Sequence, residues 1–137
     1  MSSARAIVAG HGDFAAGVVS EVVQITGRDD VFVALSNRGL SAQDVERVMR
    51  EAAAAGPVSV IFTDLPAGSC TMAARRLQRE HPGLQLVTGV NLAALLDFVF
   101  TDAPDAGVAA AEAVDKGRKA LAVAAGGALG GGSARGA

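Results

Sequence analysis

The sequence contains few of the residues that mark specialised protein classes. It has no Trp and no Tyr, one cysteine and two histidines. The single cysteine, Cys70, cannot form an internal disulfide, which suits a reducing compartment. The first residues lack the basic segment and long apolar run of a signal peptide, and no run approaches the ~18 to 20 apolar residues needed to span a bilayer. These absences favour a cytoplasmic globular protein over a secreted or membrane-spanning one.

An excess of charge of either sign is also missing. Lys and Arg number 12 and Asp and Glu number 14, which gives a formal net charge of -2. This balance provides no electrostatic basis for binding nucleic acid or an anionic membrane. Half of the 137 residues are apolar, so we expect one domain with an aliphatic, alanine-rich core.

Short apolar runs alternate along the chain with helical patterns. Strands are predicted near residues 5–9, 31–36, 58–64 and 84–90, and each is followed by a helical pattern. This alternation predicts an α/β fold with three layers, in which four parallel strands in the order 2-1-3-4 carry helices on both faces. We expect one domain over residues 1–125 and a disordered Gly/Ala-rich tail over residues 126–137. Just before the tail, ALAVA is either a last helical turn or a short extra strand.

Polar residues follow the predicted strands at the edge where ligands bind in open parallel sheets. The segments at this edge are 10–13, 36–38, 64–69 and 89–91. Strands 1 and 3 are neighbours in the predicted order, so His11 and Asp64 are expected to face each other. A carboxylate that accepts the Nδ1 proton of a histidine leaves Nε2 with a free lone pair, which can serve as a base, ligand or nucleophile.

The residues around this pair favour an anion. Helix N-termini follow both loops, and their free N–H groups bind phosphate well. Gly12 and Gly68 allow close approach of the backbone, and Ser69 adds a hydroxyl. We therefore predict a phosphohistidine at His11. Asp64 and Ser69 remain open to a plainer interpretation, in which each only caps the following helix.

The other candidate residues carry weaker signals. His81 precedes Pro82 at a helix end away from this edge and is predicted to be structural, and Cys70 is predicted to be a small buried residue. Arg38, Arg75 and Arg76 are solvated charges by default, or cations that meet an anionic ligand or an acidic partner protein. No His, Cys or carboxylate cluster has metal-ligand spacing, so we predict no metal site and no bound cofactor.

A dinucleotide site is the competing interpretation of the first loop. GHGDFA satisfies G-x-G-x-x-[GA] between a strand and a helix, and Arg38 lies where a 2′-phosphate would be received. The chain is short for a dinucleotide enzyme, however, and Asp13 would place a carboxylate close to a pyrophosphate.

Several segments in order resemble the IIA component of the mannose/fructose family of the bacterial sugar phosphotransferase system. They are IVAGHGDFAAGV, TDLPAGSCTMAARRL, VTGVNLAALLDFVF and, more loosely, AAAEAVDKGRKAL. The resemblance implies a phosphocarrier in which His11 accepts a phosphoryl group on Nε2 from HPr and passes it to a histidine of a IIB domain. It also implies that Asp64 orients His11 and that Gly68 and Ser69 hold the phosphoryl group.

The resemblance further implies a homodimer in which a C-terminal antiparallel strand, here ALAVA, is exchanged. Contact with the membrane would be indirect, through a sugar permease. This sequence departs from the family pattern at Gly10, where Ser or Thr is common, at Asp13 and at Cys70. The phosphotransfer subunit of dihydroxyacetone kinase shares the fold and is the nearest functional alternative, as is a role in regulation rather than transport.

Overall fold

The computed structural model describes residues 2–126. Four parallel strands form one sheet in the order β2-β1-β3-β4. The strands are Ala6–Gly10 (β1), Phe32–Ser36 (β2), Val60–Thr63 (β3) and Gln85–Val87 (β4). The helices are Phe14–Thr26 (α1), Ala42–Ala54 (α2), Ser69–Glu80 (α3), Leu92–Phe100 (α4) and Ala106–Ala120 (α5). The predicted α/β fold and strand order are confirmed.

Side chains of the central strands alternate between two cores, because successive residues of a strand point to opposite faces. On one face Val8 and Phe62 pack against α1, α4 and α5. On the other face Ile7 and Ile61 pack against α2 and α3. The sheet is thus covered by helices on both faces.

Alanine is frequent in both cores, as predicted, but the first core is not purely aliphatic. Phe32, Phe62 and Phe98 meet there, and the ring centroids of Phe62 and Phe98 lie 5.3 Å apart in an edge-on arrangement. Three of the five phenylalanines of the chain therefore form one core cluster between the sheet and α4.

Local signals in the sequence explain where the helices begin and end. Ser41 accepts a hydrogen bond from the Asp44 amide and caps α2, and Asn91 caps α4 through the Ala94 amide. Gly27 ends α1 in the left-handed conformation, which glycine adopts without strain. No helix in the described part of the chain is long and apolar enough to cross a membrane.

The C-terminal segment forms neither of the predicted structures within a single chain. α5 ends at Ala120, and residues 121–126 are exposed without regular structure. An isolated chain does not test exchange of this segment with a partner. The predicted tail, apart from Gly126, lies outside the described residues.

Candidate functional site

His11 and Asp64 meet where β1 and β3 end. Ala9 pairs with Thr63 in the sheet, so the residues beyond the two strand ends emerge side by side. Asp64 Oδ2 accepts two hydrogen bonds from His11, one from the backbone N–H at 2.9 Å and one from ring Nδ1 at 2.8 Å. The chain turns in opposite directions from β1 and β3, since β2 lies on one side of this pair and β4 on the other. Such a switch point is where ligands bind in open α/β sheets.

This contact determines the chemistry of the imidazole. Because Nδ1 carries the proton donated to Asp64, Nε2 keeps its lone pair. The carboxylate is mostly buried, whereas the imidazole is half exposed. Burial works to raise the pKa of Asp64, but the hydrogen bonds and charge of His11 outweigh it, so that the pKa lies below its ordinary value. The site therefore presents a nucleophilic nitrogen to solvent, with an anion behind it.

Gly68 lets the backbone approach the ring of His11. It has φ +107°, and a Cβ there would lie 3.2 Å from Cε1 and 3.6 Å from Nε2 of His11. α3 begins immediately afterwards, and its first helical bond runs from the Met72 N–H to the Gly68 carbonyl. The N–H groups of α3 before Met72 therefore have no partner within the helix. The helix follows directly on Gly68, the residue whose Cβ would lie 3.6 Å from Nε2.

Ser69 is the first residue of α3 rather than its cap. Gly68 occupies the N-cap position, and no side chain caps this helix. The Ser69 hydroxyl instead accepts a hydrogen bond from Asn37 Nδ2 at 3.1 Å. Neither Asp64 nor Ser69 has the capping contact of the plainer interpretation.

The first loop is held on its other side by the last residue of β2 and the segment that follows it. Ser36 donates to the Gly12 carbonyl at 2.8 Å, and Arg38 pairs with Asp13 at 3.0 Å. Gly12 has φ +54°, and a Cβ there would lie 3.3 Å from Arg38 Nη2. Arg38 is thus an exposed cation, 65% exposed, that pairs with the exposed carboxylate of Asp13. Asp13 occupies the N-cap position of α1 but makes no capping bond.

Gly10 is one of the positions where this sequence departs from the family pattern. The Asp64 carboxylate lies very close to the backbone there. A Cβ on Gly10 would lie 2.9 Å from Asp64 Cγ and Oδ2, and equally close to the Phe14 ring. A side chain at this position would displace the carboxylate. In this chain, glycine at position 10 therefore leaves the space in which the Asp64 carboxylate contacts His11.

The remaining candidate site residues lie away from the imidazole, pair with another side chain or are buried. His81 is exposed at the end of α3, and Arg76 pairs with Glu46 on α2. Cys70 is buried, and burial together with the charge of Asp64 raises the pKa of its thiol. Among residues 2–126, no group of three His, Cys, Asp or Glu side chains is arranged to hold a metal ion.

Two features of the site were not predicted from the sequence. One is the contact of Asn37 with Ser69, although the 36–38 segment was placed at the correct edge. The other is a buried hydroxyl pair behind the loop, where Thr63 Oγ1 and Thr71 Oγ1 lie 2.7 Å apart and Thr71 donates to the Leu65 carbonyl. This pair ties α3 to the segment that carries Asp64, and no sequence pattern marks it.

Comparison with known proteins identifies related sequences and folds. A family profile described as the PTS system fructose IIA component matches residues 5–115. The mannose/sorbose-specific IIA subunit from Enterococcus faecalis superposes with a TM-score of 0.79 at 21% identity, over 94% of this chain and 99% of that one.

Two further solved structures have the same fold. Phosphotransferase system component EIIA from Streptococcus agalactiae gives a TM-score of 0.79 at 20% identity, over 90% of this chain and 97% of that one. The PTS IIA protein associated with the fucose utilization operon of Streptococcus pneumoniae gives a TM-score of 0.74 at 22% identity, over 90% of this chain and 96% of that one. No curated protein sequence matches significantly.

Proposed function

The chain belongs to the fructose IIA component family of the sugar phosphotransferase system, and on this basis we propose that it is a phosphoryl carrier working through His11. In this proposal Nε2 of His11 accepts a phosphoryl group from HPr and passes it to a histidine of a IIB component. The group then serves sugar uptake or its regulation. The observation that carries the proposal is the contact of both the ring and the backbone N–H of His11 with Asp64 Oδ2.

Asp64 assists the transfer by holding the proton on Nδ1. The Nε2 lone pair forms a bond to phosphorus as the bond between phosphorus and the donor breaks, and the electron pair of that bond leaves with the donor. The imidazole gains positive charge because Nδ1 keeps its proton, and the adjacent carboxylate stabilises that charge. Transfer to the IIB component is the same step in reverse, with His11 as the leaving group.

Gly12, Gly68 and Ser69 are the proposed phosphoryl-binding residues. The close approach of Gly68 to Nε2 brings the free N–H groups at the start of α3 near the position of a phosphoryl group. The Ser69 hydroxyl can donate a further hydrogen bond. Fixed donors of this kind stabilise the charge that develops on phosphoryl oxygens during transfer.

The partners, oligomeric state and location that we propose follow from the same family membership. HPr and a IIB component are the protein partners, and the chain acts as a homodimer in the cytoplasm. Contact with the membrane is indirect, through the permease that receives the sugar. The donor, acceptor and dimer are parts of this proposal.

Incubation with phosphoenolpyruvate, enzyme I and HPr, followed by intact mass measurement, tests the function. We expect the wild-type protein to gain the mass of one phosphoryl group and to lose it in acid. His11→Ala should gain nothing. His81→Ala is the matched control, because it removes the other histidine at the far end of α3 and should behave as wild type. Equal phosphorylation of the His11→Ala protein would overturn the assignment.

The dinucleotide alternative is separated by a second measurement. The family match includes the GHGDFA loop, which favours the phosphocarrier, and Asp13 places a carboxylate 3.0 Å from Arg38, where a 2′-phosphate would have to bind. Titration with NADPH should therefore show no saturable change in its fluorescence. Saturation at micromolar NADPH would support the alternative.

A further inference from the structure

Asn37 is a polar side chain at the site to which the mechanism above gives no role. It follows β2, and its backbone N–H donates to the Gly10 carbonyl at 3.2 Å. Its side-chain amide reaches across to α3 and donates through Nδ2 to Ser69 Oγ. Both residues are half-buried. One residue thereby joins the segments that carry the nucleophile and the phosphoryl-binding hydroxyl.

The direction of this hydrogen bond matters for Ser69. A hydroxyl has one proton to donate and two lone pairs that accept. Because Asn37 donates to Ser69 Oγ, it occupies a lone pair and cannot take the hydroxyl proton. The proton is left for another acceptor, and the phosphoryl oxygens would be anionic acceptors beside it.

The neighbouring thiol does not compete strongly for that proton. Cys70 follows Ser69, and burial together with the charge of Asp64 raises the pKa of the thiol, although the nearby Ser69 hydroxyl acts in the opposite direction. Cys70 is therefore a neutral thiol at physiological pH, and a neutral thiol is only a weak acceptor. The Ser69 hydroxyl remains a donor.

We propose that Asn37 is a positioning residue for phosphoryl transfer: it donates to Ser69 Oγ and so directs the Ser69 O–H toward the phosphoryl group on His11. This inference rests on the proposed function. Ser69 is the one side-chain hydrogen-bond partner of Asn37 among the described residues, so the Asn37 side chain acts through Ser69. Its removal should lower the rate of transfer at saturating phospho-HPr and leave KM for phospho-HPr unchanged.

A double-mutant cycle tests this role. Transfer rates from phospho-HPr are measured for the wild type, Asn37→Ala, Ser69→Ala and the double variant. We expect Asn37→Ala to slow transfer about 10-fold, the scale at which partners that orient functional side chains act. Ser69→Ala should slow it about 100-fold, as expected for loss of one donor to a developing charge. The double variant should be no slower than Ser69→Ala, because Asn37 has nothing left to orient.

A second variant reverses the hydrogen bond. Asn37→Asp replaces the donor with a carboxylate, which accepts the Ser69 proton and adds negative charge, so transfer should be slower than in Asn37→Ala. Gln78→Ala is the matched control, since it removes a side-chain amide that donates to the Leu84 carbonyl at 2.9 Å near the other end of α3. Its transfer rate should equal that of the wild type.

The outcomes separate this inference from the function on which it rests. If the wild type is not phosphorylated on His11, the carrier function fails and this role fails with it. If the wild type is phosphorylated, a rate for Asn37→Ala equal to wild type overturns the role of Asn37 alone. So does a double variant slowed by the product of the two single effects, or an Asn37→Asp protein faster than Asn37→Ala.

Discussion

Asp64 binds His11 with a single oxygen, so two hydrogen bonds depend on the same atom. Its other oxygen, Oδ1, is buried without a hydrogen-bond partner among the residues described. Burying an unpaired carboxylate oxygen is costly, but the hydrogen bonds and charge of His11 offset that cost, because the pKa of Asp64 lies below its ordinary value. The proposed carrier function would also need an anion at this position, because the imidazole becomes positively charged when it is phosphorylated.

Asp64→Asn should separate this task from stability. The amide can present N–H to the ring, which favours the wrong tautomer and protonates Nε2. We expect phosphoryl transfer from HPr to fall by orders of magnitude, about 10³-fold or more, as when a histidine loses its orienting carboxylate elsewhere. Unchanged transfer kinetics would show that Asp64 is only structural.

Stability against pH provides the second measurement on the same variant. The pKa of Asp64 is lower in the folded protein than its ordinary value of 3.8, so the folded state binds this proton less well than the unfolded state. Its contribution is fully present above the ordinary pKa and is lost as pH falls through the lowered value. Urea unfolding from pH 6 downward should show an acid-sensitive component in the wild type that Asp64→Asn lacks.

The main features of the site at this scale were predictable because they depend on topology. Parallel order places the ends of β1 and β3 together whatever the loop conformations, and that was enough to pair His11 with Asp64. The contacts of Asn37 and Arg38 depend on loop dihedrals and rotamers. Alternation of apolar and polar residues carries no information about these, so both contacts became visible only in the structure.

Helices α4 and α5 pack closely against each other at Gly117. A Cβ on Gly117 would lie 2.9 Å from Asn91 Oδ1 and 3.1 Å from the Ala94 methyl, and Asn91 donates to the Gly117 carbonyl at 2.8 Å. Glycine inside a helix costs about 1 kcal/mol relative to alanine. The close packing of α4 against α5, which only glycine allows at this position, compensates for that cost.

A matched pair of substitutions tests this explanation. Gly17 also lies inside a helix, α1, but a Cβ there would meet nothing within 4 Å. We expect Gly17→Ala to raise the free energy of unfolding by about 0.5 to 1 kcal/mol. Gly117→Ala should lower it by about 1 to 3 kcal/mol, because the added methyl pushes α4 and α5 apart. Urea denaturation measures both, and stabilisation by Gly117→Ala would contradict the packing argument.

Element boundaries were largely predictable for a related reason. Ser41, Asn91 and Gly27 are local signals that act within a few residues of their own position. The phenylalanine cluster depends instead on residues far apart in sequence, such as Phe32 and Phe98. Low aromatic content indicated an aliphatic core but could not show where the few aromatic rings would gather.

At the scale of the whole molecule, β4 is an edge strand that pairs only with β3 within the described residues. Two depressions, of about 200 and 470 Å³, lie between this edge and α5, and their walls include Val87 and Val114. Open strand edges that border apolar grooves are usually covered in native proteins. The segment 120–124, ALAVA, starts at the last residue of α5 and is largely exposed, with Leu121 84% exposed and Val123 98% exposed. An open edge and an exposed apolar segment thus occur in the same chain.

We therefore expect a dimer in solution in which segment 120–124 of each subunit adds to the β4 edge of the other. Light scattering should give a dimer for a chain ending after Gly126 and a monomer or aggregate for one ending after Lys119. Leu121→Asp/Val123→Asp keeps the full length and should also be monomeric; both side chains are exposed in the single chain, so the charges should not disturb its fold. A well-folded dimer from either altered protein would contradict the exchange. It would place the contact elsewhere, with α4 and its exposed Phe100 the next surface to examine.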